Sequence, residues 1–220
     1  MATLYFSPNW FYWYSLIFEA IFALTTALIA IYSFKVYSLA KQKESELFGI
    51  GFSLVSASYV IWFFINLFLL DQLQDGIQVL DFGKIAFLGT LGVYSHIFLF
   101  ILGLLTIAYI TFKTDNIKTY SLLVILTISG IVMSLNKATA FYIFTSIFLI
   151  FIMLYYLTQF LRKRNPKTLL VLISFILLSI SHIQYIFASN NYIYYVAGHF
   201  LELIAYLILL VQLYHIIKNS

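Results

Sequence analysis

Long apolar runs alternate with short polar segments from one end of the chain to the other. Each run reaches the roughly 17 to 25 residues that a helix needs to cross a hydrocarbon core about 30 Å thick. The pattern predicts seven helices, over residues 9–33, 47–70, 85–112, 119–135, 138–161, 168–188 and 192–217, the fourth being the shortest. In lipid, every backbone donor and acceptor must be satisfied within the structure, and continuous apolar runs of this length do so as helices rather than barrel strands. The expected fold is an all-α polytopic membrane protein, a single seven-transmembrane-helix bundle over residues 1–220.

Composition agrees with this reading. Of the 220 residues, 63% are hydrophobic and only 9% charged, far below the quarter usual in soluble domains. The net charge of +4 does not indicate nucleic-acid binding, because the basic residues fall in the loops. Ten of the twelve lie after helices one, three, five and seven, with only Lys84 and Lys137 on the other side. The positive-inside rule then predicts the N-terminus outside, the C-terminus inside and a multi-pass location in the cell membrane. Arg162, Lys163, Arg164 and Lys167 read as topology determinants beside Pro166, where one helix stops and the next starts.

No basic leader precedes the first run, so no cleavable signal peptide is expected. Tyr5, Phe6, Trp10, Phe11, Tyr12, Trp13 and Tyr14 read instead as an interfacial aromatic belt. With no cysteine in the chain, histidine, carboxylate and tyrosine are the plausible ligand types for any metal.

The candidate chemistry lies in the few polar groups that interrupt the apolar runs. His199, Glu202 and Tyr206 stand at i, i+3 and i+7 in the last run and share one helix face with Tyr195. A carboxylate at membrane depth costs about 2.5 to 3.5 kcal/mol on insertion scales, so it normally faces a partner, a cofactor or water. Because helix direction alternates, Glu19, His96, His182, His199 and Glu202 all fall at a similar depth in the outer half, with Asn66 near them. His215, at the inner end, reads as an ordinary interfacial residue. Small and polar residues share these faces: Ser15, Ala23 and Thr26 with Glu19, Gly92 and Gly103 with His96, and Ser174, Ser179, Ser181 and Tyr185 with His182.

Three readings fit this set. In the first, the groups satisfy one another and fix helix packing, as in a structural membrane subunit. In the second, they bind a haem b or a divalent metal in a sensor or electron-transfer module. His96 with His182 or His199 would be the axial pair, the glycines on the His96 face would make room for the porphyrin, and Glu202 would orient His199. A metal held by His96, His182 and His199, with an oxygen from Glu19 or Glu202, is equally allowed by ligand type. In the third, they line a polar cavity in a proton-linked transporter or receptor for a small molecule. No catalytic set is expected, and the HExxH signature of membrane zinc hydrolases does not occur.

The block from Ser181-His182 through Gly198-His199-Phe200-Leu201-Glu202 resembles the closing helix pair of seven-helix prokaryotic membrane modules, some joined to histidine kinases as sensor regions. The resemblance implies an input module with His199 and Glu202 at the matching positions. No output domain is expected within these 220 residues, so a signal would pass to a separate signalling or redox partner protein.

Overall fold

The computed structural model describes residues 9–74, 82–112, 116–188 and 190–218. A single 3-10 turn, Asn9–Phe11, leads into α1 (Tyr12–Ala40), α2 (Lys43–Gln74), α3 (Phe82–Phe112), α4 (Ile117–Met133), α5 (Lys137–Lys163), α6 (Pro166–Phe187) and α7 (Tyr192–Lys218). No strand occurs among the described residues. Six of these helices are long and apolar enough to span a membrane, and the exception is the 17-residue α4. The all-α polytopic bundle expected from hydropathy is therefore the fold. Tyr5, Phe6, Asp75 and Asp81 lie outside the described residues.

Asparagine sets four of the helix starts. Asn116, Asn136, Asn165 and Asn191 accept from the backbone N–H of Lys118, Thr139, Lys167 and Ile193 at 2.9–3.1 Å. Pro166 occupies the first turn of α6, where its missing N–H costs nothing. The polar stretch expected as a loop over residues 35–46 is mostly helical. Nothing in the sequence stops α1 until Lys41 turns left-handed at φ 54° and bonds back to the Tyr37 carbonyl.

Packing order differs from sequence order at one place. α1 packs on α2, α2 on α3, α3 on α5, α5 on α6, α6 on α7, and α7 returns to α1. These helices close a ring, and α4 lies outside it against α3 and α5. The first and last helices run parallel, since Ser15 meets Tyr195, Phe22 meets Tyr206 and Tyr32 meets Tyr214 in register. The two termini therefore leave at opposite ends of the bundle.

The ring encloses a largely apolar core in which a few polar groups are buried, and its outside is apolar. Glu19, Asn66, His182, His199 and Glu202 are buried, whereas Leu24, Phe64, Phe87, Leu126, Phe151 and Phe200 face outward. That distribution suits lipid on the outer face. The glycines expected to make room for a helix or a flat ligand beside His96 are used for helix packing. A Cβ on Gly103 would stand 2.5 Å from the Gly51 carbonyl oxygen, and one on Gly92 would stand 2.8 Å from Ile65. The space they open is filled by α2.

Candidate functional site

Glu19, His96, His182, His199 and Glu202 all line one small cavity inside the ring, together with Tyr59, Trp62, Tyr142, Tyr185 and Tyr195. Four helices supply the five polar groups: α1, α3, α6 and α7. The cavity measures about 50 Å³. A buried water needs on the order of 10–15 Å³, so there is room for a few waters.

Glu202 is the hub. Tyr59 and Tyr206 donate to Oε1, the latter at 3.1 Å, and Tyr185 donates to Oε2 at 2.8 Å. These donors come from α2, α6 and α7 itself, so the carboxylate ties three helices together. Tyr185 also meets His199 Nδ1 at 3.1 Å, accepting there while it donates to Glu202. Gly198 is what allows this ring to sit where it does. A Cβ at that position would come within 2.5 Å of the Tyr185 ring.

Glu19 has a different setting. The Asn66 amide nitrogen donates to both of its oxygens, at 2.9 and 3.0 Å, Ser15 donates at 3.4 Å, and Trp62 is a further donor. Ser15 also meets the Tyr195 hydroxyl at 3.1 Å, which joins this cluster to the helix that carries His199 and Glu202.

The histidines are anchored alike. Nδ1 of His96, His182 and His199 lies 3.3, 3.0 and 2.9 Å from the carbonyls of Ser58, Leu178 and Tyr195 respectively. A carbonyl only accepts, so each Nδ1 carries a proton and each neutral ring keeps its lone pair on Nε2. Aromatic rings separate the histidines. Phe100 lies 5.7 Å from His96 and 5.6 Å from His182, and Tyr185 lies 5.6 Å from His182 and 5.3 Å from His199, between ring centroids. Among the described residues no three His, Asp or Glu side chains are gathered closely enough to hold a metal ion.

Several residues in or beside the cavity are not evident from the sequence. Phe11, expected in the interfacial belt, turns inward, is 2% exposed and packs on His199 at 5.6 Å. Trp10, Trp13 and Tyr14 of the same segment do face outward. Tyr59, Trp62, Phe100 and Tyr142 carry no group that is charged near neutral pH and would mark them within an aromatic-rich run. His215 is exposed near the C-terminal end of α7, away from the cavity.

Compared with known proteins, the chain matches no family model, no curated protein and no solved structure.

Proposed function

We propose that this multi-pass membrane protein is a proton-linked receptor or transporter for a small molecule, with Glu202 as the group that changes protonation. The observation that carries this reading is the set of three tyrosine hydroxyls converging on one buried carboxylate. A phenol oxygen both donates and accepts. When Glu202 is ionised, the three phenols donate to it. When it is protonated, it donates to one of them, and that phenol turns its own proton elsewhere, with the heavy atoms in place. The adjoining cavity has room for the waters that would bring the proton, and intramembrane carboxylates commonly serve such relays. With the basic loops on the cytoplasmic side, the site lies in the outer half of the membrane.

The test is infrared difference spectroscopy on protein in nanodiscs across a pH series, with proton flux measured in proteoliposomes. Loss of one carboxyl band in Glu202→Gln, along with the flux, is the expected result. A Glu202→Gln protein with unchanged bands and flux would refute the proposal.

One observation favours a second reading, that of a haem- or metal-binding sensor or electron-transfer module. Metal-ligating histidines usually give their other N–H to a backbone carbonyl or a carboxylate, as all three histidines do here. His96, His182 and His199 would hold the group through Nε2, and Phe100 and Tyr185 would have to move aside for one ion or one porphyrin to reach two of them. Bound haem or metal would supply redox chemistry or a ligand-sensing centre, consistent with the sensor-type resemblance of α6 and α7. A visible spectrum and metal analysis of the purified protein test it. A colourless, metal-free preparation that takes up no haemin would eliminate it.

A further inference from the structure

A second and larger cavity opens at the far end of the ring from Phe11. It has a volume of about 350 Å³, within the range of small-molecule sites, and is formed where α1, α5 and α7 end and α2 and α6 begin. The order of residues along each helix separates it from the Glu202 cavity. On α7 the succession is Glu202, Tyr206, Leu209, Gln212, and on α2 it is Tyr59, Phe52, Phe48, Glu44. The middle of both series belongs to an apolar layer containing Phe52, Leu104, Leu149, Phe175 and Leu178. This end cavity is therefore a distinct site.

We infer that it binds a small zwitterion with an apolar side chain, of the α-amino acid type. Three observations select that class. Gln212 lines the cavity and is 2% exposed, and its Nε2 has no hydrogen-bond partner, which leaves a buried donor to be met by an acceptor. Glu44 and Lys163 stand on the same lining with opposite charges, matching a ligand that carries both signs. Phe48, Tyr156 and Leu209 supply apolar surface between these polar groups. A carboxylate placed on Gln212 and Lys163, an ammonium on Glu44 and a side chain against the apolar wall use every one of these features. A monovalent anion or cation meets only one of the two exposed charges on the lining, and a neutral apolar molecule leaves the Gln212 amide orphaned.

The experiment is equilibrium binding of radiolabelled L-leucine and L-phenylalanine to the full chain in nanodiscs, with phenethylamine and 3-phenylpropanoate as single-charge competitors. Saturable binding of the amino acids is expected, with each competitor weaker by about tenfold or more, the scale of one lost polar contact. Gln212→Leu and Lys163→Met should each weaken binding by about tenfold. Lys163 is exposed, so Lys163→Met stays informative even where Gln212→Leu does not fold. Three results would overturn the inference: no saturable amino-acid binding, competitors equal to the zwitterions, or an unchanged affinity in Lys163→Met.

Discussion

The two buried carboxylates are held by different kinds of donor. Glu19 is clamped by the Asn66 amide through both oxygens, while Glu202 is held by the hydroxyls of Tyr59, Tyr185 and Tyr206. An amide N–H donates but cannot hand its proton on, whereas a phenol donates, accepts and can pass a proton along. Both acids carry the same insertion cost, but Glu19 has a single hydroxyl donor, Ser15, beside the Asn66 amide, whereas all three donors to Glu202 are phenols, the arrangement on which the proposed proton exchange rests. Glu19 thus reads as a joint between α1 and α2, and Glu202 as the working group. An intramembrane carboxylate is assigned a role by its donors as much as by its depth.

The sharpest way to break this distinction is Asn66→Leu. It strips Glu19 of the one amide nitrogen that both oxygens share, and a hydrogen-bond donor to a charged group contributes roughly 1.5–3 kcal/mol, so a loss of about that size is expected. Chemical denaturation in mixed micelles measures it, and the fraction that remains folded should still show the Glu202 carboxyl band. If Asn66→Leu abolished that band without destabilising the protein, the two roles would have to be exchanged.

Next in size is Gly198→Ala, whose new methyl group collides with the Tyr185 ring. Overpacking of this kind costs about 1–3 kcal/mol and should also pull Tyr185 away from Glu202 and His199. The same denaturation assay, read together with proton flux, distinguishes this from simple crowding. Tyr185→Phe follows, with a loss of about 1 kcal/mol for a hydroxyl bonded to both neighbours and a flux defect close to that of Gly198→Ala. Glu202→Gln should move stability least, by about 1 kcal/mol or less, because the amide oxygen still accepts, while removing proton flux altogether. A stability loss in Glu202→Gln as large as that of Asn66→Leu would place both acids in the structural class.

The sequence made the ionisable part of this cavity legible and left the rest hidden. Glu19, His96, His182, His199 and Glu202 stand out because such residues are costly in an apolar run, and alternating helix direction was enough to put them at one level. Tyr59 and Phe100 did not stand out among 18 tyrosines and 23 phenylalanines, since hydropathy does not say which aromatic rings face lipid and which face the interior. The same blindness applies to α4. Its apolar run stands apart only in being the shortest, and only packing shows that it lies outside the ring while α3 meets α5 directly. The α3 glycines were visible, but whether α2 or a ligand occupies the space beside them is decided by tertiary contacts such as Gly103 against Gly51.

The parallel seam between α1 and α7 has a consequence for how the protein is made. α1 waits for α7, which follows it by about 150 residues, and until then the bundle is an open arc with Ser15 and Glu19 beside the gap. Tyr59 and Tyr185 wait likewise, because their shared acceptor is on α7. A ribosome stalled before residue 192, or a chain truncated there, would leave these groups turned toward lipid, a state that membrane quality control could recognise. Completion of the polar cavity in this sense waits on α7.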